Sequence, residues 1–331
     1  MTQPPKTRPY FSREELADAA AFVHARMPPT PLYAWPRLRA RLGAEVYVKH
    51  ENHTPTGAFK LRGAFTFIDW LRRAHPQAPG IVTATRGNHG QGQAWAATSA
   101  GLSARIYVPQ GNSTEKNAAM RAFGADLHEF GADFDTAREE AMRVAAAEGL
   151  FPVPPFHREL VRGVATGAWE MFSAQPDLET LYVSIGCGSG ICGAIAVRDA
   201  LGLKTRIVGV VSIGAQTARL SVEAGRPIAT ESARTFADGI AVRVPVEEAL
   251  EIYGRGAERI VTVTDDEVAE AMRVYFADIH AVAEGAGAAA LAALMQERDR
   301  MQGRKVGVVL SGGNVDTAVF AEVLRGITPA A

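Results

Sequence analysis

Cysteine is scarce: Cys187 and Cys192 are the only two in 331 residues. Both lie in one glycine-rich segment, with no second pair elsewhere. A disulfide framework and a cysteine metal site are therefore not expected, and a reducing cytoplasm is the expected setting. Excess charge is missing too. The net formal charge is −1 and no tract is densely basic, so neither nucleic acid nor an anionic membrane surface is an expected partner. No run approaches the ~18 apolar residues of a membrane span. Residues 1–10, polar and proline-bearing, lack the apolar stretch of a secretory leader. Lysine is also rare, with six in the chain: Lys6, Lys49, Lys60, Lys116, Lys204 and Lys305. What is present is an ordinary globular balance, 47% apolar and 21% charged, over a length that suits two domains or one large one.

Apolar strand-like runs alternate with helix-forming stretches almost throughout. The run 81–85 precedes a helical stretch to residue 100, 104–108 precedes a helix over about 113–123, and 126–130 precedes an alanine-rich helix ending near Gly149. The pattern resumes with β-branched runs at 181–185, 206–211 and 305–310, each followed by a helix-forming stretch. This alternation predicts an α/β fold of parallel sheets covered on both faces. Two helix entrances carry the Ser/Thr-x-x-Glu capping spacing, Ser12 with Glu15 and Thr264 with Glu267. The segment 151–156, Phe-Pro-Val-Pro-Pro-Phe, cannot be helical, because its prolines hold themselves and their predecessors extended. It is the expected crossing between two α/β units, a small one over 80–155 and a large one made of 1–79 and 156–331. The last strand-helix unit ends close to Ala331, so no further C-terminal domain is expected.

Four segments carry chemistry. In the first, a strand over 45–49 runs through a polar turn into a helix whose first turn holds Phe59 and Lys60. The positive helix end disfavours an ammonium there, and an easily deprotonated amine can attack a carbonyl to form a Schiff base. An exposed helix lysine is the alternative. The second is Thr85-Arg86-Gly87-Asn88-His89-Gly90, at a strand end where a helix begins. Open α/β sheets place ligands there, and free N–H groups can hold a carboxylate; a plain turn capped by Asn88 is the alternative. The third, Gly186-Cys187-Gly188-Ser189-Gly190, has the same strand-to-helix setting and the chemistry of a phosphate cradle. Gly188-x-Gly190-x-x-Gly193 also matches a dinucleotide fingerprint, but no acid ends the next strand to hold a ribose. A smaller phosphorylated ligand is thus preferred to a nicotinamide dinucleotide, with a ligand-free turn as the alternative. The fourth is Ser311-Gly312-Gly313-Asn314 after the strand 305–310, where Ser311 either meets a ring nitrogen or opens a turn.

Taken in order, these segments resemble the fold-type II pyridoxal-phosphate enzymes, and among them the threonine dehydratase and serine racemase branch. Phe236-Ala237-Asp238-Gly239 and Glu284 are similar to further features of that branch. The resemblance implies a tryptophan synthase β-like fold, two open twisted sheets with pyridoxal 5′-phosphate in the cleft between domains, in a homodimer. It implies that Lys60 carries the cofactor and later takes the Cα proton. It also implies that Phe59 packs beside the ring, Asn88 meets its 3′-oxygen and Glu284 lies near it. The cradle of Gly186, Cys187, Gly188, Ser189 and Gly190 would hold the phosphate, and Ser311 the pyridine nitrogen. Thr85, Asn88 and His89 would receive the carboxylate of an amino-acid substrate.

The implied reaction is loss of the β-hydroxyl and amine of a 3-hydroxy amino acid (serine, threonine, 3-hydroxyaspartate or phenylserine), giving a 2-oxo acid and ammonia. A neutral Ser311 suits prompt loss of a β-leaving group over a long-lived carbanion. The rivals are a racemase or β-replacement enzyme of the same fold, a nicotinamide-dependent oxidoreductase, and a silent binding module. Arg86 stands where racemases carry a serine as second acid/base; an arginine, always protonated, is a poor proton acceptor. It either attracts an acidic substrate side chain or pairs with a protein carboxylate. The branch often binds a divalent cation after the strand 206–211, but the stretch 211–217 offers no acid, so no metal site is expected.

Overall fold

Ser12 opens the first helix as its spacing predicts: its hydroxyl accepts from the Glu15 N–H, and the Glu15 carboxylate accepts from the Ser12 N–H. The computed structural model describes residues 9–331; Lys6 and the rest of 1–8 lie outside the described residues. Helix α1 (Arg13–His24) leads to a short strand β1 (Leu32–Ala34), helix α2 (Pro36–Leu42), strand β2 (Glu45–His50) and helix α3 (Lys60–Ala74). Then come β3 (Gly80–Ala84), α4 (Asn88–Ser99), β4 (Ser103–Val108), α5 (Thr114–Ala122), β5 (Asp126–Glu129), α6 (Phe134–Glu148), β6 (Phe151–Pro152) and α7 (Arg158–Ala174). The chain continues through β7 (Thr180–Ser184), α8 (Ser189–Ala200), β8 (Arg206–Ser212), α9 (Thr217–Ala224), α10 (Glu247–Gly256) and β9 (Arg259–Val263). It closes with α11 (Asp265–Ile279), α12 (Gly285–Gln296), β10 (Lys305–Leu310) and α13 (Thr317–Leu324). Thr264 and Glu267 form the second capping box, at the start of α11.

The strands make two sheets. One has the order β1-β2-β10-β7-β8-β9, the other β5-β4-β3-β6. All neighbours run parallel except β1, which lies antiparallel on the edge beside β2. Both faces are covered, as the near-continuous apolar strands require. Under one face of the larger sheet runs α12, whose Gly285 to Leu294 are all buried; a helix apolar all round belongs in a core. Apolar residues of α1, α7, α8 and α10 pack on its other face. Pro152 sits in β6, the outermost strand of the smaller sheet, where its missing N–H costs no ladder bond. The chain then runs to α7 through 153–157.

Helix α3 bridges the two layers. Its Leu61, Ala64, Phe65, Phe67 and Ile68 share a core with Ile81, Ala94 and Ile106 of the smaller sheet's elements. On its other side it lies backbone to backbone with α7. A Cβ on Gly63 would come within 2.6 Å of the Leu160 carbonyl oxygen, and one on Gly163 would overlap that of Arg62. The helix that begins with Lys60 is thus held by both sheets' helices.

Candidate active site

Three loops meet at the strand ends around Lys60. The Phe59 N–H donates to the Ser311 carbonyl at 3.0 Å and the Gly313 N–H to the Gly57 carbonyl at 2.9 Å, so the lysine turn is laced to the loop after β10. The Gly92 position of α4 packs on the backbone of Lys60 and Leu61. The Lys60 amine lies 3.2 Å from the Ser189 hydroxyl at the start of α8, and 4.7 Å from the centre of the Phe59 ring. Every residue singled out from the sequence lines one cavity of about 1180 Å³: Phe59, Lys60, Thr85, Arg86, Asn88, His89, Gly186, Cys187, Gly188, Ser189, Gly190, Glu284 and Ser311.

The loop after β7 is built to meet an anion. Gly188 sits at φ +96°, a conformation that favours glycine, and precedes α8 with no side-chain cap. The N–H groups of Gly186, Cys187, Gly188, Ser189 and Gly190 have no backbone acceptor among the described residues. Free N–H groups and the helix dipole together make an anion site.

Asn88 is not the helix cap. Gly87 holds that position with an extended φ of 168°, and Asn88 is the first residue of α4. Its side chain is engaged elsewhere, donating to Glu284 at 2.6 Å and accepting from the Asn314 amide at 2.8 Å. Asn314 also donates to the Thr56 carbonyl, so it ties the lysine turn, the α4 entrance and the last loop together.

Electrostatics follow from burial. Desolvation lowers the pKa of Lys60, with Cys187 and Glu284 opposing, which favours a neutral amine. His89 is pushed down to about 3 by burial and by Lys60, so its ring is neutral; its Nε2 is buried with no partner. Glu284 is 3% exposed and pushed up to about 7 by burial, with Lys116 opposing and Asp238 adding to the rise. Its Oε2 also lacks a hydrogen bond. Burial raises the Cys187 thiol, so it stays protonated. The Ser311 hydroxyl has one weak partner, the Ala286 carbonyl at 3.4 Å.

Of the two readings of Arg86, one is not met. Arg86 is exposed and pairs with no carboxylate among the described residues, so its pairing with a protein acid is not found. Lys116, which the sequence did not single out, is 8% exposed in the cavity wall. Its amine donates to Asp238 at 2.5 Å and lies 3.9 Å from Glu284. Burial works against this charge, but Asp238 and Glu284 outweigh it and raise the pKa. Sequence reasoning gave Lys116, Asp238 and Asn314 no role; for the last two the quoted motifs that contain them were the available signal.

These groups fit pyridoxal 5′-phosphate. A neutral-prone amine stands beside an uncapped helix start suited to a phosphate, next to an aromatic ring. Around them are buried polar atoms that still lack partners.

The comparisons with known proteins agree. The chain is 34% identical over 291 residues to a biosynthetic L-threonine dehydratase of Pasteurella multocida, covering 87% of this chain and 56% of that protein. The chain thus spans little more than half the length of that relative. It is 30% identical over 298 residues to an L-threo-3-hydroxyaspartate ammonia-lyase of a Pseudomonas species, covering 90% of this chain and 93% of that one. Among solved structures, a pyridoxal 5′-phosphate-dependent aspartate racemase superposes with a TM-score of 0.89 at 27% identity, covering 94% of this chain and 98% of that one. The description "Pyridoxal-phosphate dependent enzyme" matches residues 25–312, from the end of α1 to the loop behind Ser311. With that span and the site within it, the chain belongs to the family of pyridoxal-phosphate dependent enzymes.

Proposed function

We propose that this protein is a dehydratase, or ammonia-lyase, that converts a 3-hydroxy amino acid to a 2-oxo acid and ammonia. One observation carries the reading. The half-buried Lys60 amine lies between an anion cradle and the polar entrance of α4 in a single cavity. When bound, the cofactor supplies the electron sink that makes a Cα proton removable and a β-hydroxyl labile.

The chain's own residues do the rest. The N–H groups of 186–190, free of backbone acceptors, would hold the phosphate end of the cofactor. The unpaired N–H groups of Asn88, His89 and Gly90 at the start of α4 receive the substrate carboxylate. Lys60, its pKa lowered by burial, serves as the base for the Cα proton. Ser311 would offer the ring nitrogen a neutral hydroxyl, and Asn314 and Glu284 hold the Asn88 side chain in place. Arg86 supports elimination over racemisation, since a guanidinium does not accept a proton from the far face.

Purified holoenzyme is expected to show a visible cofactor absorption band that Lys60→Ala abolishes. It is expected to release 2-oxo acid and ammonia in equal amounts from a panel of 3-hydroxy amino acids. Interconversion of enantiomers without ammonia would overturn the lyase reading in favour of racemisation.

A further inference from the structure

Not every cation of the cavity wall has an acid partner among the described residues. Lys116 is satisfied by Asp238 and Glu284, while Arg138 and Arg243 share Asp135. Arg86 and Arg234 also line the cavity, are exposed, and pair with no carboxylate among the described residues. Arg86 is the one at the strand end. It directly precedes Gly87, over which the Lys116 stem packs: a Cβ on Gly87 would be 2.6 Å from the Lys116 Cδ. Two cations therefore flank the entrance of α4, and only one of them has a partner.

The α-carboxylate of a substrate does not need that free guanidinium. The N–H groups of Asn88, His89 and Gly90 are unpaired and point from a helix start, which is sufficient for one carboxylate. The Gly87 N–H is already used by the Thr85 hydroxyl at 3.1 Å. What is left over beside this carboxylate site is a planar fork of donors suited to a second one.

We propose that Arg86 reads a second carboxylate, carried on the β-carbon of the substrate, and that the preferred substrates are 3-hydroxy amino dicarboxylates. This rests on the reaction proposed above and adds the side-chain class to it. Arg234, on the loop that leads to Asp238, adds a long-range attraction for the same doubly negative substrate.

The test uses holoenzyme with L-threonine, L-serine and the threo and erythro forms of 3-hydroxyaspartate. Succinate and propionate serve as non-reacting probes, their binding read by thermal shift. The dicarboxylates are expected to have the higher kcat/KM, and succinate to stabilise the protein more than propionate. Arg86→Gln is expected to lower the ratio of kcat/KM for hydroxyaspartate over threonine on the order of 10- to 100-fold. It should also remove the succinate advantage, with Arg86→Lys restoring part of both.

Equal losses for all substrates in Arg86→Gln would overturn the proposal, because Arg86 would then serve the α-carboxylate. An unchanged ratio would overturn it as well. If no substrate yields a 2-oxo acid, the lyase reading fails, and the succinate shift with its dependence on Arg86 still decides this inference.

Discussion

At the scale of single residues, Glu284 illustrates how burial sets chemistry. Its folded-state pKa of about 7 lies above the unfolded value near ~4.3, so the folded protein favours the protonated acid. The corresponding stability is present below ~4.3 and is lost as pH rises through about 7. His89 acts in the opposite sense: its neutral ring is favoured by folding, and that stability is lost as the medium turns acidic. Comparing the apoenzyme with Glu284→Gln isolates the glutamate. The melting temperature of the natural chain is expected to fall relative to the variant between pH 5 and 8. Parallel pH curves for the two proteins would show that Glu284 is ionised across that range.

At the scale of elements, the placement of Lys60 depends on a buried charge cluster around Arg62, in the same first turn of α3. Arg62, fully buried, donates to Glu51 of the polar turn and to Glu170 and Thr166 of α7. Lys49, 2% exposed, donates to Glu170 at 2.5 Å and to the Thr30 carbonyl at 2.7 Å. Arg62 and Lys49 outweigh burial and hold the Glu170 carboxyl below the usual range, so it stays charged. Two cations and two carboxylates thus join the end of β2, the start of α3 and the middle of α7. Such clusters add little net stability compared with apolar packing, but breaking one strands a buried charge. Glu170→Ala is expected to destabilise the protein by about 3–5 kcal/mol in urea unfolding. A loss below about 1 kcal/mol would mean that the cluster relaxes or hydrates freely.

At the scale of the whole molecule, ligand binding and folding are linked, since the cavity is formed by loops from both sheets. Adding pyridoxal 5′-phosphate at a hundredfold excess over its Kd is expected to stabilise the apoenzyme by about 2.7 kcal/mol, seen as a rise in Tm. Gly188→Ala should blunt that rise, because φ +96° disfavours a side chain and its Cβ would sit 2.7 Å from that of Ala249. An undiminished rise in this variant would remove the 186–190 loop from cofactor binding.

The same scale separates what could be read in one dimension from what could not. The alternation of elements, both capping boxes, the non-helical segment 151–156 and the glycine loops at strand ends were legible in the chain, because periodicity, proline geometry and turn chemistry are local. The four chemical segments were legible for the same reason, each lying within a short stretch at a strand end. The partners of those segments were not. Asn88 meets Glu284 and Asn314, Lys116 meets Asp238, and Arg62 meets Glu170 across sequence separations of 108 to 226 residues. Whether Arg86 finds a carboxylate, whether Lys116 is buried, and whether α3 belongs with one sheet or with both depend on how distant elements pack. Local propensity names the groups available for chemistry, whereas burial and long-range pairing assign their charges and partners.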